Sequence, residues 1–208
     1  MKVIDCHQYS PEWWAARRGV PTASEFGNIL TPKTGKLAAA AESYICRLIG
    51  DTLDLEYPRL SEGNEAMRRG TGAEPESRRW YEMEVGVPVQ QVGFCLSDDG
   101  RFGCSPDGLV GSDGLLELKN PLPHTHVKYL LDGGLPDEYR AQVHGQLIVT
   151  GRQWCDFVSY APGLPSLVLR VTPDEYTEKL AEALEQFYAM LHAAWLKIRS
   201  LDLRTEAA

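Results

Sequence analysis

Apolar and polar positions change period several times along this chain, and the changes outline its elements. Trp13-Trp14-Ala15-Ala16-Arg17, after Ser10-Pro11, reads as a short helical turn. Thr22-Ala23-Ser24-Glu25 has the spacing of a capping box and predicts a helix through Leu30. Residues 31–36 and 55–62, with their Pro and Gly, read as loops. Between them Leu37 to Leu53 has helical spacing, with Leu37, Tyr44, Leu48 and Ile49 as candidate core positions. Asn64 to Glu84 is helical but interrupted near Gly70, Gly72 and Pro75. The period then shortens. Val87–Leu96, Arg101–Val110 and Leu115–Asn120 read as three consecutive strands, joined by Asp98-Asp99-Gly100 and by Gly111 to Gly114. His124–Leu131 and Glu138–Val149 are predicted helices on either side of Gly133-Gly134. Trp154–Tyr160 and Ser166–Val171 pair as strands around Pro162-Gly163. Thr172-Pro173-Asp174-Glu175 caps a last helix to about Leu201. Helices, a meander, a helix, two strands and a helix make an α+β or α/β sandwich around a central mixed sheet.

Composition narrows the class. The chain has 208 residues, enough for one domain with a full core, and 43% apolar content suits a soluble globular protein. No apolar run reaches the length of a membrane span, and the N-terminal segment lacks a secretory h-region. Five cysteines (Cys6, Cys46, Cys95, Cys104, Cys155) without close pairs fit reduced thiols in a cytoplasm, and count against an iron–sulfur cluster. The net charge of −8 is unlike that of a nucleic-acid-binding protein. It is unevenly spread, however. Residues 1–80 carry 11 basic and 11 acidic residues, while residues 81–208 carry 10 and 18. The basic residues of the first part include the pairs Arg17-Arg18, Arg68-Arg69 and Arg78-Arg79. Screening confines charge effects to about 8–10 Å, so a basic groove can work on an acidic body. Arg78-Arg79 alone reads as a solvated helix face.

The chemistry concentrates in Ser105 to Pro121, SPDGLVGSDGLLELKNP. Strand alternation points Glu117 and Lys119 to one face and Leu116 and Leu118 to the other. Asp107, placed on the preceding strand, can turn alongside them. By itself a Glu-x-Lys pair fits a solvated strand face. Here it stands in a leucine-rich strand, at hairpin distance after Pro-Asp-Gly, and Asn120-Pro121 ends the strand abruptly. Two carboxylates and a lysine are the groups that divalent-metal phosphodiester hydrolysis needs, because hard oxygens hold Mg²⁺ and a lysine offsets phosphate charge. Elsewhere, Arg17, Thr22 and Ser24 surround a predicted helix start, a natural phosphate site. Arg18 is the second choice there. Gln142 and Gln146 lie one helical turn apart on one face. His124 and His126 form a His-x-His pair without a third ligand, and read as a helix start lining the cleft.

The segment resembles motifs II and III of the PD-(D/E)XK nuclease superfamily. More narrowly, WWAARRGVPTASEFGNIL, RRGTGAEPE, CSPDGLV, LLELKNP and YRAQVHGQLIVTG, in that order, resemble the lambda-type (YqaJ-like) viral exonucleases. The resemblance implies a restriction-endonuclease-like core within one nuclease domain, residues 1–208, with core motifs in 64–160. It implies two Mg²⁺ ions, for which Mn²⁺ would substitute, held by Asp107, Glu117, the Leu118 carbonyl and Glu74. Lys119 and Gln142 would position or activate water, with Gln146 less securely beside them. Arg17, Ser24 and Thr22 would hold a 5′-terminal phosphate. It further implies 5′→3′ digestion of double-stranded DNA, leaving a 3′ single strand for a single-strand annealing protein. The assembly would be a homotrimeric ring in the cytoplasm of a bacterial host. A PD-(D/E)XK endonuclease, or a non-catalytic DNA-binding scaffold on the same fold, is the alternative.

Overall fold

The strand that carries the charges, Gly114–Lys119 (β6 in chain order), is buried on both faces, and the fold is arranged around it. The structure is a computed structural model. It describes residues 1–31, 37–54, 56–57 and 65–205, with side chains from 72 to 201 in the last segment. Of the loops expected at 31–36 and 55–62, residues 32–36, 55 and 58–62 lie outside the described residues, as do the side chains of Arg68 and Arg69. The strands before β6 are β1 (Lys2–Ile4), β2 (Val89–Gln90), β3 (Phe94–Leu96), β4 (Gly103–Cys104) and β5 (Gly108–Val110). Those after it are β7 (Trp154–Ser159) and β8 (Leu167–Val171). One sheet has the order β2-β5-β6-β7-β8, with β6 and β7 parallel and the other pairs antiparallel. A smaller sheet has the order β1-β3-β4.

The helices are α1 (Pro11–Arg17), α2 (Ala41–Leu53), α3 (Glu65–Val85), α4 (Pro123–Asp132), α5 (Asp137–Thr150) and α6 (Glu175–Thr205). Alternation along β6 sorts the layers. Leu116 and Leu118 pack with Tyr81 of α3 and Val158. Leu115 joins the larger core with residues of α2, α5 and α6, among them Tyr44, Leu147, Leu184 and Phe187. This is a five-stranded mixed sheet flanked by helices, as the sequence implies. On the α3 face, buried Asp156 accepts from Tyr81 Oη at 2.7 Å and from Arg170 at 2.8 and 2.9 Å.

Several boundaries differ from the expectation, each for a tertiary reason. The run Val87–Leu96 is not one strand, because the chain crosses between sheets at Gln91 to Gly93. Gly93 backs onto the Cys6 carbonyl so closely that no Cβ would fit. Arg101–Val110 divides in the same way, so Asp107 sits in the link just before β5 rather than on a strand. The capping box does not form. Thr22 makes no side-chain cap, Ala23–Asn28 is a short 3-10 turn, and Glu25 bonds Asn28 and Arg47. Thr22 Oγ1 instead accepts from Arg17 at 3.2 Å. Helix α2 begins at Ala41, which leaves Leu37 exposed, while Tyr44, Leu48 and Ile49 are core. Helix α3 runs unbroken through Gly70, Gly72 and Pro75. Asp174, not Thr172, caps α6, accepting from the Tyr176 and Thr177 amides. Gly145 of α5 lies against the 3-10 turn where a Cβ would strike the Phe26 ring and the Ala23 methyl.

Candidate active site

Glu117 is the hub of the site, although it is only 2% exposed. A buried carboxylate is tolerated only when it is paired and hydrogen-bonded, and β6 and α5 supply the partners together. Lys119 Nζ lies 2.7 Å from Glu117 Oε1. Gln142 Nε2 donates to the same oxygen at 2.6 Å, and Gln146 Nε2 donates to Oε2 at 2.6 Å. The one-turn spacing of the two glutamines therefore aims both at a single carboxylate. Lys119 also donates to Gln142 Oε1 at 3.4 Å, and its Nζ stands 4.7 Å from the centre of the Tyr139 ring. Burial opposes the ammonium charge, but Glu117 and Asp107 outweigh it and hold Lys119 protonated well above its ordinary range. In this state Lys119 carries a positive charge.

Asp107 comes from the other side. Its amide donates to the Leu116 carbonyl at 3.0 Å, and its Oδ2 accepts from the Leu118 amide at 2.6 Å. That pins the carboxylate against β6 beside Glu117. Burial first, and then Glu117, push the Asp107 carboxyl well above its usual range. Glu74, half-buried on α3, is shifted up by burial, with Glu117 adding and Arg78 opposing. Arg78, one turn further along α3, donates to the Asp107 carbonyl at 3.4 Å. It is thus not the solvated face expected of it, unlike exposed Arg79.

The Arg17 group forms a second half-site. Arg17 donates to Ser105 Oγ at 3.4 Å, Thr22 Oγ1 at 3.2 Å and Ser24 Oγ at 3.5 Å. Its guanidinium lies 4.2 Å from the Trp13 ring centre. No carboxylate pairs with it among the described residues, and burial lowers its affinity for its proton. It lines a cleft of about 860 Å³ with Thr22, Tyr44 and Arg47. A 3-10 turn this short adds no helix-terminus field, so the guanidinium and the hydroxyls are the groups here that could bind an anion. Ser105 links the halves, since it bonds Arg17 and precedes Asp107 by two residues. Trp13 Nε1 holds it at 2.8 Å.

Arg18 is directed elsewhere. It donates to the carbonyls of Asp51, at 2.9 Å, and Asp54, at the end of α2. His126 is not in the cleft but wholly buried, with Nδ1 2.7 Å from Ser159 Oγ and Nε2 2.8 Å from the Pro165 carbonyl. His124 is exposed. Sequence reasoning passed over Arg78, Ser105 and Tyr139. The signal for two of them was helical spacing, with Arg78 four residues after Glu74 and Tyr139 three before Gln142.

The model of the YqaJ-like viral recombinase domain matches residues 12–153. Among solved structures, the alkaline exonuclease LHK-Exo of Laribacter hongkongensis is 38% identical, with a TM-score of 0.79, covering 93% of this chain and 100% of that one. LHK-Exo in complex with dAMP is similar at 37% identity, with a TM-score of 0.80 and the same coverage. A phage-related exonuclease from Haemophilus somnus 129PT shares the fold at 14% identity and a TM-score of 0.63, covering 84% of this chain and 96% of that one. No curated protein matches. The matched residues contain both half-sites, and on the family model and the 38% identity together the chain belongs to the YqaJ-like viral recombinase domain family.

Proposed function

We propose that this protein is a Mg²⁺-dependent exonuclease that digests double-stranded DNA from 5′ ends and leaves a 3′ single strand. Membership of the family and the likeness to LHK-Exo support the nuclease role. The observation that carries the finer reading is the link through Ser105. It bonds a cation with no carboxylate partner among the described residues to a serine two positions before Asp107. That link would serve a terminal phosphate at Arg17, Thr22 and Ser24 with the scissile phosphate at the carboxylates. Arg18, turned to α2, takes no part. The complex of LHK-Exo with dAMP, a 5′-monophosphate, supports a pocket of this kind.

The donor set fits a divalent ion. Buried Glu117 and half-buried Asp107 lie side by side, and burial first, then Glu117, raises the Asp107 carboxyl. Among the described residues no three His, Cys, Asp or Glu side chains converge on one point. The protein thus offers a partial shell, as sites that leave Mg²⁺ several waters do. Asp107 and Glu117 would hold it, with the Leu118 carbonyl and Glu74 beside them. Bound there, Mg²⁺ or Mn²⁺ supplies Lewis acidity to phosphate and water. Lys119, a fixed ammonium, stabilises charge building on the phosphate. Gln142 and Gln146 orient Glu117, and Gln142 also reaches Lys119. We assign residues 1–208 to one nuclease domain of a cytoplasmic homotrimeric ring that hands its product to an annealing protein. The reading for the ring rests on the resemblance and on the net charge of −8, since bulk attraction alone would not hold such a body on DNA.

The test is digestion of a linear duplex labelled at either 5′ end, beside a covalently closed circle, with Mg²⁺ or EDTA. Release of 5′-mononucleotides from the linear duplex alone, and only with Mg²⁺, is expected. Cutting of the circle would make the protein an endonuclease, and no cleavage of either would end the enzyme reading.

A further inference from the structure

Tyr9 is the single non-glycine residue with positive φ, at 67°, among the described residues. The Ser10 amide donates to the His7 carbonyl at 3.1 Å, so His7 to Ser10 is a tight turn with Tyr9 third. A left-handed third residue is the type II pattern, a place that ordinarily goes to glycine or asparagine. A bulky residue held there is strained, and such strain gathers at functional sites. The turn is fixed on both sides. Gln8 Nε2 donates to the carbonyls of Val92 and Pro106, each at 3.2 Å, and Ser10 Oγ accepts from the Trp13 amide at 3.3 Å.

The strained backbone presents the ring to solvent. Tyr9 is 53% exposed and lines a cleft of about 580 Å³ with Asp107, Glu74 and Arg78. Its ring centre lies 5.0 Å from that of Trp13, the ring on which Arg17 also rests. Tyr9 therefore stands where the Arg17 half-site meets the carboxylate half-site. On the proposed reading, a strand held at both Arg17 and Asp107 would pass this ring.

We propose that Tyr9 is a substrate-contact residue that stacks on a base within two nucleotides of the cleaved bond. This deepens the nuclease reading and rests on it. Every base has a π-face, so the contact grips any sequence and suits an enzyme that advances along arbitrary DNA. Among the described residues, no other Tyr, Trp or Phe lines this cleft.

Tyr9→Gly separates this role from a structural one, because glycine relaxes the turn as it removes the ring. The probe is a 5′-phosphorylated duplex carrying 2-aminopurine at the first, second or third position from that end, bound in EDTA so that nothing is cut. Stacking quenches 2-aminopurine. The wild-type protein is expected to quench at least one position, Tyr9→Phe to keep the quench, and Tyr9→Gly to lose it while melting at or above the wild-type temperature. With Mg²⁺, the KM of Tyr9→Gly for linear duplex should rise about five-fold or more. A wild-type protein that cleaves duplex while Tyr9→Gly shows the same quench and KM overturns the stacking role and leaves the nuclease reading standing. A wild-type protein inert toward duplex removes both.

Discussion

Asp107→Asn is expected to abolish cleavage and, at the same time, to raise the melting temperature of the metal-free protein. The rate loss follows from taking a charged oxygen out of the site. Even one lost transition-state donor costs on the order of 10²–10³ in rate, and a ligand carboxylate should cost at least that. The stability gain follows from the environment of Asp107. Burial and Glu117 raise its folded-state pKa above the unfolded value near 3.9. A carboxyl raised on folding lends its stability below the unfolded pKa and loses it as pH rises through the folded pKa. The charged form is therefore a burden at neutral pH. Asparagine removes it, and its side-chain oxygen can still accept from the Leu118 amide, so the hydrogen bond survives. The gap in melting temperature between variant and wild type should be absent near pH 3 and widen toward pH 7. Adding Mg²⁺ should close it by stabilising the wild type alone. Calorimetry across that range, with and without Mg²⁺, reads both effects. A variant that cuts at the wild-type rate, or that melts below the wild type in EDTA at pH 7, would refute the assignment.

Arg17→Met should erase the preference for 5′-phosphate over 5′-hydroxyl ends without harming the fold. Arg17 is bonded to three hydroxyls at 3.2–3.5 Å, long for charge-assisted bonds, and burial works against its charge. A phosphate would complete it. Hydrogen bonds to charged groups contribute about 1.5–3 kcal/mol, so the ratio of kcat/KM for the two ends should drop by about ten-fold or more. The slope of log affinity against log salt should flatten by about one unit. Methionine keeps the stem against Trp13, and loss of a poorly compensated buried charge should leave the melting temperature level or higher. Equal rates on both ends in the wild type would remove the phosphate pocket from the account.

How much of this the sequence displayed depended on how local the cause was. Glu117, Lys119 and the leucines between them were legible because strand alternation is local and β6 is buried on both faces. Gln142 and Gln146 were legible as a pair because one helical turn joins them. That both meet Glu117, though, needed the parallel pairing that leads from β6 through α4 and α5 to β7. The failures have distant partners. Thr22 has a good capping spacing, but Arg17 takes its hydroxyl. The strand expected from Val87 to Leu96 breaks where Cys6, some 87 residues earlier, backs onto Gly93. Strand β1 went unseen because three residues carry little pattern, and their partners Phe94–Leu96 are remote. The continuity of α3 through two glycines and a proline was the reverse case, in which packing overrode propensity.

The contact at Gly145 ties the two half-sites together. Helix α5 brings the glutamines to Glu117, and the 3-10 turn brings Ser24 to Arg17. The missing Cβ at Gly145 lets these two elements touch through Phe26 and Ala23. The span between the Arg17 half-site and the Glu117 half-site thus depends on a packing contact outside both. The contact acts as a spacer, and a residue bulkier than glycine there would push the two half-sites apart while leaving every one of their side chains in place.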